Sequence, residues 1–165
     1  MNLQRIVRHL FAPHWIVNRA FPRHTLDAIE AATRASEHTH DAELRFAVEA
    51  GLHPLPVARG QTARARALQV FANLHVWDTA HNSGVLIYVQ LVDRRIEIVA
   101  DRGIAAKVAQ HEWDAICRRM EDAYRRHAFE EGTLLGITEI TALLALHFPP
   151  LTDNPNELSD VPVVL

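Results

Sequence analysis

Asp78 and Asn82 stand just ahead of an apolar run that begins at Val85, and Asp101 follows a charged run that ends at Ala100. If the two runs pair as an antiparallel hairpin, the start of one lies beside the end of the other. Asp78, Asn82 and Asp101 then meet at one rim of a sheet, with Ser83 close by. Gathered carboxylate and amide oxygens are what calcium and magnesium prefer as ligands. Arg102 adds a cation beside Asp101, suited to pairing with a carboxylate or holding an anion. The structural alternative is that Asp78 and Asn82 shape the loop and Asp101 caps the following helix; it is favoured because such roles are so common for Asp and Asn. Trp77, just before Asp78, reads as a core anchor rather than the wall of a shallow cleft.

Other candidates are sparser. His38 and His40 have the spacing of ligands on a strand, but no second pair completes a site. Cys117 falls on the apolar face of a helix next to Ile116 and is expected as a buried structural thiol. GxSxG, HExxH, GxGxxG and Walker A sequences are absent. Near the N-terminus, Arg5, Arg8, Arg19 and Arg23 sit among Leu, Ile and Phe side chains. They suit either an anionic membrane surface or docking against the domain or a second subunit. Docking is favoured, since so short a helix gives only a modest membrane interaction.

The elements that must position these residues follow from periodicity. Residues 3–11 place Leu3, Ile6, Val7, Leu10 and Phe11 at helical spacing, ended by Pro13. A short apolar segment, Trp15-Ile16-Val17, precedes a helix from Pro22 to about Glu37. ELRFAVE (43–49) alternates strictly and is a strand with one strongly apolar side. GLHPLPVARGQ reads as a surface loop, and Thr62 caps a helix to about Leu74 that buries Ala67, Leu68, Phe71 and Leu74. Val85 to Val92 is a strand buried on both faces; Asp93-Arg94-Arg95 turns the chain, and Ile96 to Ala100 returns beside it. Asp93 reads as turn chemistry. Two helices follow, one with Trp113, Ile116, Cys117, Met120 and Tyr124 on a single stripe. The last runs from about Phe129 to Phe148, packing through Leu135, Ile140, Leu143, Leu144 and Phe148 until Pro149-Pro150 stops it.

This order predicts a three-layer α/β/α sandwich: a central mixed sheet containing a β-hairpin, with helices on both faces and a parallel crossover between 43 and 92. The divisions are an amphipathic N-terminal segment (1–21), the α/β/α domain (22–149) and a polar, proline-containing tail (150–165) expected to be loosely held.

The 165 residues are 48% apolar and 22% charged, as in an ordinary soluble domain, and the net charge of −3 argues against general nucleic-acid binding. A lone cysteine fits a reducing compartment. Arg5, Arg8 and His9 interrupt any signal-peptide core, and no run approaches the roughly 18 apolar residues of a membrane span. The expected location is cytoplasmic, with room for peripheral association at the inner membrane surface.

The ordered pieces resemble the TPM domain, a family that includes a thylakoid lumen protein of photosystem II repair. The resemblance lies in Val76-Trp77-Asp78, Asn82-Ser83-Gly84-Val85-Leu86-Ile87, Asp93-Arg94-Arg95-Ile96, Asp101-Arg102-Gly103, the strand ELRFAVE, and Gly132 with Gly136. It spans roughly residues 24 to 148 and implies the same α/β/α sandwich. It also implies two roles. One is a non-catalytic or weakly catalytic module acting through protein or membrane-associated partners. The other is a divalent-metal-dependent, acid phosphatase-like hydrolase, since some members bind calcium or other divalent ions at the sheet rim and plant members have been assigned that activity. In the second, Asp78, Asn82 and Asp101 would ligate Ca2+ or Mg2+, and Arg102 would steady the phosphate. The sequence departs from the family pattern at both ends of that rim: Asn82 replaces the common acidic residue before Asn-Gly, and Asp101 replaces the first glycine of Gly-x-Gly.

Overall fold

A computed structural model describes residues 3–150 and 155–165. Strand β1 (Glu43–Glu49) pairs in parallel with β2 (Gly84–Gln90), in register from Glu43 opposite Gly84 to Glu49 opposite Gln90. Strand β3 (Arg95–Ala100) returns antiparallel to β2, with Val85 opposite Ala100. Along the sheet the order is β3-β2-β1-β4, where β4 is the pair Val163–Val164 alongside β1.

Period-two alternation sends the strand residues into two cores. Leu44, Phe46, Val48, Val85, Ile87, Val89, Ile96 and Ile98 face one of them. There they meet helices α3 (Arg23–Glu37), α7 (Gln110–Arg125) and α8 (Phe129–His147) through Ile29, Trp113, Met120 and Ile140. On the second face Ala47, Leu86, Tyr88 and Val99 pack with Ala67 and Val70 of helix α5 (Ala63–Asn73). The arrangement is the α/β/α sandwich read from the sequence, with a parallel β1–β2 pair and a β2–β3 hairpin.

Four expectations need correction. Leu68 and Leu135 are half-exposed, because α5 buries Ala63, Ala67 and Val70 and α8 buries Gly132, Thr133, Gly136, Ile137, Ile140 and Leu144. Each of those stripes follows the helical repeat and passes the leucine by. The segment read as a loop contains a short helix, α4 (Pro54–Ala58), because Pro54 occupies a first-turn position where no N–H is needed and His53 caps it. Trp77 is 48% exposed with its ring tilted against His75, while its neighbour Val76 is the buried anchor.

The tail is the fourth. Residues 155–165 lie back on the second face, where Leu158, Val163 and Leu165 join the core. Their polar groups meet charged side chains of the body, two of them buried. Glu43 accepts from the Leu158 N–H at 2.9 Å, Arg45 donates to the Ser159 carbonyl, and Asp160 accepts from Arg34 at 3.0 Å. Composition alone favoured solvation of this segment; the buried polar side of β1 supplies the partners that hold it. Glu49, on that same side, takes two hydrogen bonds from Arg66 and one from the Tyr88 hydroxyl.

At the free edge of the sheet, the outward backbone groups of β3 are met by side chains. The Ile96 N–H donates to Glu121 Oε1 at 3.2 Å, and Arg64 donates to the Ile98 carbonyl at 2.6 Å. Among the described residues no helix is long and apolar enough to cross a membrane.

Candidate functional site

The hairpin does bring Asn82, Asp101 and Arg102 together. The Asp101 N–H donates to the Gly84 carbonyl at 2.8 Å, continuing the β2–β3 ladder past its end. Asn82 holds a left-handed backbone (φ 53), as Asn tolerates, and its carbonyl accepts from the Gly103 N–H at 3.1 Å. Gly103 is needed there: a Cβ would lie 2.6 Å from the carbonyl oxygens of both His81 and Asn82. The chain thus leaves the sheet at Asp101-Arg102-Gly103 by a tight backbone contact that opens the short helix α6 (Arg102–Ala105).

Asn82, Asp101 and Arg102 are occupied with each other at this rim. Asp101 Oδ1 accepts from the Arg102 N–H at 2.7 Å, and the Arg102 guanidinium donates to Asn82 Oδ1 at 2.8 Å. Asp101 Oδ2 is buried and lacks a hydrogen-bond partner. Asp78 is exposed, and its side chain makes no hydrogen bond or ion pair among the described residues. Asp101 Oδ2 and the solvent-exposed Asp78 carboxylate are the uncommitted oxygens here, with a guanidinium among them, which falls short of the six or more oxygens a divalent ion gathers. Nor, among the described residues, do three or more His, Cys, Asp or Glu side chains converge on a metal-sized space. No catalytic step through a metal is therefore drawn from this rim.

The other sequence candidates separate. His38 is exposed, whereas His40 is fully buried, with Nε2 2.8 Å from Ser36 Oγ and Nδ1 accepting from the Ala42 N–H. Cys117 is buried, and burial pushes its thiol up to about 12, so it is no nucleophile at neutral pH.

The opposite end of β2 holds the feature that local reading missed. Asp93 receives three hydrogen bonds from Arg5, the shortest 2.7 Å, and one from His9 Nε2 at 3.1 Å. His9 is buried, and its Nδ1 accepts from the Leu52 N–H at 2.9 Å. Those two bonds define the tautomer: the proton sits on Nε2 and points at the carboxylate. Arg8 donates to the Val92 carbonyl. Helix α1 (Leu3–Leu10) is therefore clamped to the hairpin turn by its cations. Arg19, on helix α2 (Trp15–Ala20), has no side-chain partner among the described residues, and Arg23 pairs only with Asp27 four residues on. The signal in the sequence was Arg5 and His9 at i, i+4, a spacing that lets one carboxylate meet both.

Burial opposes ionisation of Asp93, but Arg5 and His9 outweigh it and hold the carboxyl below its ordinary value. Its contribution to stability is present above the ordinary carboxylate range and is lost as pH falls through the lower folded value. Asp93→Ala should cost about 2–3 kcal/mol in urea unfolding, because it strands a cation and a buried histidine. Amide exchange over residues 3–10 should quicken more than exchange in β2.

Fold and site define a class: a three-layer α/β/α domain built on a parallel strand pair and a hairpin, with a capped turn at one sheet rim. The chain belongs to the TPM domain family, whose family model matches residues 18–143. It is similar to the BA42 protein of the psychrophilic bacterium Bizionia argentinensis, known from an NMR structure. The two are 28% identical with a TM-score of 0.76, over 86% of this chain and 93% of that one. The N-terminal domain of a P. gingivalis protein, also solved by NMR, shares the fold at 15% identity and a TM-score of 0.62, over 86% and 95% of the two chains. No curated protein matches. Helix α1 precedes the matched residues.

Proposed function

We propose that this chain is a non-catalytic TPM-type module that engages a protein partner through the outward side of α1. One observation carries the reading. An ordinary surface helix buries its apolar stripe and solvates its charges. Helix α1 does the reverse: Arg5 and His9 face the body, while Leu3, Val7 and Leu10 are 65%, 45% and 58% exposed, followed by Phe11 at 74%. Trp15 continues the patch. Apolar patches of this kind mark interaction surfaces.

A protein groove is favoured over a lipid surface because of where the cations point. Interfacial helices keep Lys and Arg free at their flanks for anionic headgroups. Here Arg5 and Arg8 are committed to Asp93 and Val92. What remains is Leu, Val and Leu at i, i+4 and i+7, the spacing of anchors laid into an apolar groove. At the rim, Asn82 and Asp101 serve as turn and cap, which supports a binding role over hydrolysis.

A photo-crosslinking residue placed at Phe11 tests this in cells. A discrete protein adduct is expected, lost in a Val7→Ser, Leu10→Ser double variant and absent when the probe sits at exposed Leu146. An adduct to a second copy of this chain would identify the partner as itself. Co-sedimentation with anionic vesicles, abolished by the same double variant and without any adduct, would overturn the reading in favour of a membrane surface.

A further inference from the structure

We infer that the cavity between α2, the β2–β3 turn and the α7–α8 turn is a binding site for a small organic anion, an apolar body ending in a carboxylate or phosphate. The cavity measures about 350 Å³ and is lined by Trp15, Arg19, Arg94, Tyr124 and Phe129, among others. That volume lies within the usual range for small-molecule pockets, roughly 300–1,000 Å³. Leu91, on its wall, directly follows β2, so the cavity opens beyond the carboxyl end of a parallel strand. Open α/β sheets bind their ligands at that end. The Asn82–Asp101 rim lies at the other end of β2.

Its charge is the first argument. Arg19 and Arg94 make no side-chain hydrogen bond or ion pair among the described residues. The one carboxylate on the wall, Glu121, does not neutralise them. It lies 3.8 Å from Arg95 and 3.8 Å from Arg125, and it accepts from the Ile96 N–H. Two positive charges thus face the cavity uncompensated.

The floor is the second argument. Tyr124 and Phe129 pack edge to face at 5.1 Å, and both meet the buried Phe21, at 6.0 and 5.8 Å. The Tyr124 hydroxyl is spent inward on Thr133 Oγ1 at 2.6 Å, so its ring offers the cavity only an apolar surface. Trp15 stands 57% exposed at the mouth and can close over a flat ligand.

The backbone is the third. Arg94 and His127 both hold left-handed conformations, with φ of 54 and 62, and both line the cavity. Such strain in a non-glycine residue is costly and collects where a ligand is clamped.

The probes are 1-naphthoate, 1-naphthyl phosphate, neutral 1-naphthol and inorganic phosphate, titrated into the full chain by calorimetry and tryptophan fluorescence. Both aromatic anions should saturate at one site, with naphthol and inorganic phosphate at least about tenfold weaker, since each lacks one half of the recognition. Arg19→Gln and Arg94→Asn should each weaken the aromatic anions about tenfold, the loss of one charge-assisted contact. Asn is chosen at position 94 because it accepts the left-handed backbone, and Arg19 is on an exposed helix face, so neither change threatens folding. Arg23→Gln, outside the cavity, should change nothing. Equal binding of naphthol and naphthoate, or unchanged affinity in the Arg19 and Arg94 variants, overturns the site. So does binding to phosphatidylglycerol vesicles without saturation by naphthoate, which would assign the same cations to lipid headgroups. None of these changes touches the outward side of α1, so this test and the crosslinking test fail separately.

Discussion

Gly84→Ala should lower the free energy of unfolding by about 3 kcal/mol or more, a large share of the roughly 5–15 kcal/mol that holds an ordinary domain folded. A Cβ built on Gly84 would lie 1.8 Å from the Val76 carbonyl oxygen and 2.9 Å from the carbonyl carbon. The obstacle is backbone, so no side-chain rotation relieves it. Val76 is itself fully buried in the second core, and Gly84 opens β2 opposite Glu43. Relief therefore requires moving either the loop that enters the sheet or the central strand. Chemical denaturation of the variant beside wild type gives the number; a loss under about 1 kcal/mol would mean the 76–84 loop yields freely, contrary to ordinary core overpacking costs.

The second large effect depends on pH. Burial pushes the Glu37 carboxyl up from its ordinary 4.5 to about 8, against the hydrogen bond from the Leu44 N–H. Glu43 and Asp160 add negative charge nearby and push the same way. Between those two pH values the folded chain holds a proton that the unfolded chain has released. Stability therefore falls as pH rises from 4.5 to 8. A shift of this size corresponds to a ceiling of about 5 kcal/mol, and relaxation around the charge leaves roughly 2–3 kcal/mol. Glu37→Gln keeps an acceptor for Leu44 and removes the titration. It should gain about that much stability at pH 8, gain little at pH 4.5, and flatten the slope between them. Thermal unfolding of both proteins across pH 4.5 to 8.5 measures it. Glu43, also raised by burial, leaves some slope behind, while Asp93 governs the acid side with the opposite sign.

The sequence made the framework legible because that framework is periodic. ELRFAVE alternates, Val85 to Val89 is continuously apolar, and the stripe from Trp113 to Met120 repeats at helical spacing, so each element appears where its pattern places it. What stayed hidden depends on partners distant in the chain. Periodicity gives α1 an apolar side without saying which side faces inward. Asp93 decides that, and it is 88 positions from Arg5. The tail looked solvated because its polar residues are visible in sequence and their distant partners, Arg34 and the buried Glu43 and Arg45, are not. At the rim, the proximity of Asn82 and Asp101 was readable from hairpin geometry. That Arg102 would take the Asn82 oxygen was not, because side-chain direction follows from the local turn. The cavity draws on three separate stretches around Arg19, Arg94 and Tyr124, none of which carries a motif by itself.

Glu121 and Arg64, placed across the outer groups of β3, have a consequence for how this protein behaves when crowded. An uncovered edge strand invites another strand to add to it, in dimers, swapped pairs or fibrils. Here the Ile96 N–H and the Ile98 carbonyl, two of the groups an incoming strand would use, already have side-chain partners. An added chain would have to displace a carboxylate and a guanidinium to reach these two groups. Self-association by sheet extension is thus disfavoured over the middle of this edge.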